Sequence, residues 1–460
     1  MTDVAVVGAG ITGLTVAYAL VRRGLSVEVF EASARAGGLI RTERAHGFTI
    51  EAGPDSLLMS KPAGLDLVRE LGLDAEIVRV RTPGAFVLRG HRLYRLPSPS
   101  LLGLPLTRRA LAGYELLPWP ARVRLAREPR VPPRVSADDE SVASFFRRRF
   151  GPETVDLIAQ PLLGGIHAGD IEQLSMQSLF PRLLELERTE GSVLGGKVGG
   201  TAVRGDGERP PSSPFMSLRG GIQSLVDALL AALPPQTVRF HRPVAHVNRL
   251  TGGWHLSGEG ASHLSTARTV VLAAPAHVAA RLLRPLDPEA ADLCARVPYV
   301  STASVVLAWP RAAVAHPLDG TGFVVARRHS DVRITAATWV SAKWEARAPD
   351  DTVLIRAFLG GQHDPVAVDL TDEEMVRHVR HDLESVMGIA AAPTLARVFR
   401  WVNAGAQHTV GHLRRVEQIE ARLHALGGVF AAGSGFRSVG IPDCIADARR
   451  VAAAAAAQSD

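Results

Sequence analysis

Asp3-Val4-Ala5-Val6-Val7-Gly8-Ala9-Gly10-Ile11-Thr12-Gly13 decides the fold of the chain. Residues 3–7 are a short β-branched apolar run. After the glycines, Leu14, Ala17, Leu20 and Val21 recur at helical spacing, and Arg23-Gly24 stops that helix. Residues 26–30 read as a second strand, ending at Glu31. Strand, glycine turn, helix and strand make one βαβ unit. Gly8 allows the tight turn, Gly10 lets backbone approach a pyrophosphate, and Gly13 lets helix and strand pack closely. The helix then points its free N–H groups and positive dipole end at phosphates. Glu31 stands where a carboxylate accepts from ribose hydroxyls. The pattern predicts a dinucleotide site.

The composition agrees with an enzyme-sized globular chain. Its 460 residues are 46% apolar and 21% charged. That length suggests two to four domains at roughly 100–200 residues each, and the apolar share excludes disorder. No apolar run reaches the roughly 18 residues of a spanning helix, and the Ala-rich residues 451–458 are too short. The N-terminus lacks a signal peptide's charged start, so a cytoplasmic location is expected. Two cysteines, Cys294 and Cys444, offer no disulfide framework and no metal cluster. The net charge of +6 comes almost wholly from arginine, since only Lys61, Lys197 and Lys343 are lysine. The arginines are scattered among acids, so no nucleic-acid partner is expected.

Further along, residues 64–71, 141–150 and 222–233 carry helix patterns. Residues 85–88, 238–240, 269–273, 304–309, 322–325, 352–358 and 429–432 read as strands. Pro/Gly-rich residues 118–133 and 191–214 interrupt this order, the second as a mobile loop. No repeat appears. Strands near both ends of the chain predict a domain assembled from separated segments.

The glycine fingerprint does not choose between NAD and FAD. The residues after it do. Arg35-Ala36-Gly37-Gly38-Leu39-Ile40 follows Glu31, and Glu51-Ala52-Gly53-Pro54-Asp55-Ser56 comes next. Paired glycines permit a second close approach to a long, bent cofactor. This segment resembles the flavin amine oxidase superfamily. Within it, several blocks are similar to bacterial protoporphyrinogen/coproporphyrinogen oxidases. They are residues 51–56, Gln160-Pro161-Leu162-Leu163-Gly164-Gly165-Ile166-His167-Ala168-Gly169-Asp170, Arg219-Gly220-Gly221, Thr338-Trp339 with Lys343-Trp344, Arg356-Ala357-Phe358, and residues 433–445. The family commonly has an aromatic at His167. Gly405-Ala406-Gln407-His408 also departs from the family pattern, whereas Val410-Gly411-His412 keeps it.

The resemblance implies an α/β fold: a doubly wound, Rossmann-like FAD domain built from residues 1–60, 215–295 and 395–460. A mixed-sheet α+β substrate domain would take 61–91, 175–214 and 296–394, with a helical insertion at 92–174. It implies FAD contacts at Gly8, Ala9, Gly10, Ile11, Thr12 and Gly13 for the pyrophosphate. Glu31 and Ala32 would hold the ribose. Arg35, Gly38 and Leu39 would line the cofactor, and Gly53, Pro54, Asp55 and Ser56 would approach the flavin. Val244, in a strand-like stretch, would contact adenine. Trp401 would lie on the cofactor side, and Val439, Gly440 and Ile441 would meet the flavin.

The implied reaction is six-electron oxidation of a porphyrinogen in haem biosynthesis, with O2 as acceptor and H2O2 released. The flavin carries the chemistry, so no side chain is assigned as catalytic and no metal is expected. Tyr94, Arg95 and Trp339 are substrate-side candidates: Arg95 to bind propionates, Trp339 to stack. His167 and His412 read as structural and Lys61 as a surface charge. The helical region is also a candidate for peripheral contact with the inner face of the cell membrane. Homodimer and monomer stay open, as does the choice between the two porphyrinogens. A flavin oxidase of amines or carotenoid precursors, and a non-catalytic dinucleotide-binding sensor, are the alternatives.

Overall fold

The computed structural model describes residues 1–195 and 213–459. Most of the expected mobile loop, residues 191–214, lies outside the described residues. The chain forms two units from separated stretches. The first holds Met1–Arg79, Pro214–Pro298 and Gly411–Asp460; the second holds Val80–Ser213 and Tyr299–Val410.

In the first unit, β1 (Thr2–Val7) lies parallel between β2 (Val27–Phe30) and the strand His263–Leu272. Val7 pairs with Phe30 on one side and Leu272 on the other. Val238–Arg239 and Val429–Ala431 extend the parallel part. The antiparallel strands Gly253–Ser257 and His246–Leu250 complete the sheet. Val4 to Val7 are all buried, because a central parallel strand is covered on both faces. Helix α1 (Ile11–Val21) is buried around most of its circumference, as an enclosed helix must be. It packs against the helices Gln223–Ala231 and Ile441–Ser459, in a core with Leu14, Val226 and Ile445 fully buried. This is the doubly wound, Rossmann-like arrangement.

Residues 61–79 belong to this unit rather than to a substrate domain. Helix Pro62–Glu70 packs on Ile441–Ser459, and a β-carbon at Gly64 would stand 3.1 Å from Pro442 Cγ. Lys61 is more than a surface charge: its Nζ donates to Asp443 at 2.6 Å. Strand Ile77–Arg79 pairs with Phe215–Leu218, which pairs with Leu57–Leu58.

The second unit is built on a mixed seven-stranded sheet. Its order is Leu395–Ala406, Tyr299–Pro310, Thr352–Gly360, Ala336–Trp339, Gly322–Val325, Phe86–Arg89, Arg92–Arg95. Only Gly322–Val325 and Phe86–Arg89 pair in parallel. Helix Asp372–Met387, opened by a Thr371/Glu374 capping box, lays Met375, Val379 and Leu383 into the sheet core. Residues 395–410 therefore lie here and not in the FAD domain, because Leu395–Ala406 hydrogen-bonds along Tyr299–Pro310.

The helical part surrounds Phe145, Phe146 and Phe150, all fully buried. Residues 118–133 are not merely an interruption. Helix Trp119–Ala126 forms there with a proline in its first turn, where the missing N–H costs nothing. Arg149 is buried and bonds Glu128, Val131 O and Gly191 O. Arg148 bridges Glu140 and Glu187. No described helix is long and apolar enough to cross a membrane.

Candidate functional site

The glycine turn is built by backbone contact. Gly8 has φ +105° and donates to Phe30 O at 2.8 Å. A β-carbon on Gly8 would stand 2.7 Å from Ala273 O, and one on Gly13 would stand 1.9 Å from Gly8 O. A β-carbon on Gly10 meets nothing within 4 Å. Side chains at 8 and 13 are therefore excluded by the protein itself, while Gly10 faces open space. No side chain caps α1 and its first turn holds no acid, so the N–H groups at its start keep their positive end for an anion.

The second glycine block closes on the first. Gly37 N donates to Ala9 O at 2.8 Å, and a β-carbon on Gly38 would stand 3.4 Å from Gly10 Cα. Glu31 accepts from Ala9 N and Ser33 N, both at 2.8 Å. Its carboxylate thus shapes the turn. Ala32 beside it is exposed. Arg35 spends its guanidinium within its own loop, donating to Ala36 O, Gly38 O and Ile40 O. It holds the loop's shape. Leu39 is 41% exposed.

Glu51, 5% exposed, joins three stretches of this unit. It accepts from Thr42 Oγ1 and from Ile222 N, each at 2.7 Å. A β-carbon on Gly53 would stand 1.9 Å from Leu39 O, so residues 53–56 lie directly against the Gly38-Leu39 turn. Ser56 Oγ donates to Asp55 Oδ1, and Ser217 Oγ to Asp55 O; Pro54 is half-buried.

The start of Ile441–Ser459 meets the start of α1. Gly433, with φ +116°, donates to buried Asp447 and lies next to Thr12. Burial pushes the Cys444 thiol up, against the pull of the Ser438 and Thr12 hydroxyls beside it. Ile441 is buried, with Val439 and Gly440 half-buried before it. His412 is structural, with Nε2 2.7 Å from Phe436 O.

Val244 is not in a strand; the next strand begins at His246. It lies instead in an irregular connection tied to the end of β2, through His241 N to Ser33 O and Arg242 N to Glu31 O. The chain crosses the acid there, so ladder pairing starts later. Trp401 is half-buried on Leu395–Ala406, in the second unit.

In the second unit, the 160–170 block starts in a π-helix, Val155–Gly164, with Pro161 inside. Pro161 removes a backbone donor, and wide turns of this kind mark functional stretches. Gln160 closes the block, donating to Gly169 O and accepting from Ile171 N. Gln407 donates to His167 O, so the departure at 405–408 still supports this block. The His167 ring meets Phe180 edge-on. A small pocket is lined by Gln160, Pro161, Gly164, Ala168, Arg327, Thr335 and Gln362.

Two substrate-side expectations change. Trp339 is fully buried between Phe86, Phe323 and His316. It is a core residue with no face for a substrate, because the strand's alternation turns it inward. Arg95 is half-exposed but engaged: it pairs with Asp319, donates to Pro83 O and lies over the Phe86 ring. Tyr94 is half-buried, with Arg92 over its ring. Sequence reasoning missed Arg327, whose Nη1 is buried without an acceptor. Arg327-Arg328-His329 reads as a solvated charge run, and nothing local signals the pocket.

Residues 11–456 match the model of the flavin containing amine oxidoreductases. The chain is 35% identical to coproporphyrinogen III oxidase of Bacillus subtilis, over 96% of this chain and 95% of that protein. It is 33% identical to the Staphylococcus aureus enzyme of that name, over 96% of each. Against tobacco chloroplastic protoporphyrinogen oxidase it is 30% identical, over 98% of this chain and 84% of that one. A crystal structure of an Exiguobacterium sp. 255-15 protein, provisionally assigned as a protoporphyrinogen oxidase, superposes with TM-score 0.87 at 31% identity, over 98% of both chains. Cyclohexylamine oxidase of Brevibacterium oxydans shares the fold, with TM-score 0.72 at 19% identity over 99% of both chains.

The cofactor is FAD, and the residues fit it. Gly10 leaves open the space a β-carbon would fill, directly before the uncapped start of α1. The chain belongs to the flavin containing amine oxidoreductases and, within them, to the porphyrinogen oxidases.

Proposed function

We propose that this chain oxidises coproporphyrinogen III to coproporphyrin III in haem biosynthesis, with O2 as final acceptor and H2O2 as by-product. The observation that carries this reading is identity of 31–35% to four coproporphyrinogen III oxidases, three of them at 33% or above. The plant protoporphyrinogen oxidases stand at 30–32%. The bound flavin supplies the hydride acceptor, two electrons per round, so that six electrons need three rounds.

The chain's own residues do the rest. In the first unit, the Gly8–Gly13 turn and the start of α1 take the pyrophosphate, Glu31 and Ala32 the ribose, and Val244 the adenine. Leu39, residues 53–56 and residues 439–441 line the remainder of the cofactor. Arg35 and Glu51 position those segments. The second unit binds substrate, with Tyr94 and the 160–170 block as its contacts. Peripheral contact with a membrane surface is proposed for the helical part, where Trp119 is 68% exposed on a helix carrying Arg122 and Arg124. Sedimentation with anionic vesicles at low salt tests that contact.

The main test is growth of porphyrin fluorescence in air with each porphyrinogen. Faster growth with coproporphyrinogen III is expected. A flavin-loaded protein that yields no porphyrin from either substrate overturns the reading.

A further inference from the structure

Arg327 differs from several other arginines of the second unit. Arg333 is held by both oxygens of Asp364, and Arg95, Arg148, Arg149 and Arg400 each have a carboxylate partner. Among the described residues Arg327 has none, and its Nη1, shut off from solvent, has no acceptor there. Burial is the larger cause that lowers its pKa, and the neighbouring Arg333 adds to it; Asp364 opposes both. Asp364 binds Arg333 through both oxygens, so it compensates the charge on Arg327 only in part.

The pocket it lines supplies the rest of the argument. It is also lined by Gln160, Pro161, Gly164 and Ala168, part of the block that carries the strongest likeness to porphyrinogen oxidases. Two of the other polar side chains there are engaged, Gln160 by Gly169 O and Ile171 N, and the Thr335 hydroxyl by Phe358 O; Gln362 and His363 also line the space. Arg327 is the arginine among the lining residues, a cationic donor with spare capacity. The space, about 30 Å³, holds one or two water-sized groups. That suits the oxygens of a carboxylate and excludes a macrocycle. Ile166, on the same block, is 69% exposed, an apolar surface suited to a pyrrole ring.

We propose that Arg327 binds a propionate carboxylate of the substrate, one that coproporphyrinogen III carries and protoporphyrinogen IX lacks. The proposal rests on the porphyrinogen reading. It makes Arg327 a specificity residue: a carboxylate there completes the guanidinium's hydrogen bonds, whereas a vinyl leaves them unmade. An interaction of this kind discriminates because the unmet donor penalises the wrong ligand.

The test compares wild type, Arg327→Met and Arg327→Lys, all loaded with FAD and checked for an unchanged melting temperature. In Arg327→Met the KM for coproporphyrinogen III should rise about tenfold or more, the loss of one charge-assisted hydrogen bond, with kcat little changed. The KM for protoporphyrinogen IX should stay within about twofold, and Arg327→Lys should recover part of the coproporphyrinogen affinity. Fluorescence titration with coproporphyrin III gives a readout independent of turnover and should weaken in parallel. An unchanged KM for coproporphyrinogen III, or an equal rise for both substrates, overturns the inference. Failure of the porphyrinogen reading looks different, since wild type itself then makes no porphyrin.

Discussion

Gly13 and Gly8 touch through their backbones: a β-carbon on Gly13 would stand 1.9 Å from the Gly8 carbonyl oxygen. No such neighbour limits Gly10, whose φ of −69° any residue adopts. The two glycines should therefore fail differently. Gly13→Ala should destabilise the chain by about 3 kcal/mol, the upper range of overpacking, with a lower melting temperature whether or not FAD is added. Gly10→Ala should melt like the apo wild type yet bind FAD about tenfold more weakly, as expected for one lost charged contact. Melting curves with and without FAD separate the two.

Glu31 has a double task in the proposed function: its carboxylate accepts from Ala9 and Ser33, and it is the proposed ribose contact. Glu31→Ala should raise the Kd for FAD about tenfold or more, and Glu31→Gln, which keeps one acceptor oxygen, should fall between. Flavin-fluorescence titration of the apo chain measures both. Equal affinity in all three would remove Glu31 from the cofactor site.

Glu51 is a stability residue. Glu51→Ala leaves the Ile222 amide and the Thr42 hydroxyl without their acceptor in a buried place. The expected loss is about 3 kcal/mol, from donors costing roughly 1–3 kcal/mol each. Chemical denaturation of the apo chain measures it.

Acid should act on the helical part of the second unit. Burial pushes the Glu187 carboxyl up, but the Arg148 and Arg149 guanidiniums outweigh that and hold it below its ordinary value. A folded pKa below the unfolded one contributes stability above the unfolded value, about 4.3, and loses it as pH falls through the folded value. The wild-type melting temperature should therefore drop below about pH 4.3. Glu187→Gln should melt lower at neutral pH and show a shallower acid slope. Parallel slopes would mean that other carboxylates dominate.

What the sequence made legible was local. The first βαβ unit could be read from residues 3–31, because glycine spacing and apolar period bear directly on backbone shape. Of the long strands, Leu395–Ala406 was missed and others were found shorter than they are: residues 304–309 grew to Tyr299–Pro310, since pairing on both sides carries a strand past its apolar centre. Trp339 was misjudged because an inward-facing Trp in a strand looks, in one dimension, like a ring waiting for a ligand. The helix at Trp119 was missed because its prolines read as interruptions, although the first turn tolerates them. Arg327 was invisible because its pocket is assembled from stretches more than a hundred residues apart.

The burial of α1 against Ile441–Ser459 sets a timetable for making the protein. Residues 11–21 leave the ribosome about 420 residues before the helix that covers them begins. At roughly 5–20 residues per second, that gap takes on the order of 20 to 85 seconds. Throughout that interval Leu14 and Ala17 have no such helix to bury them. A nascent chain thus exposes its nucleotide turn in an unfinished, sticky form, and a stalled one keeps it so.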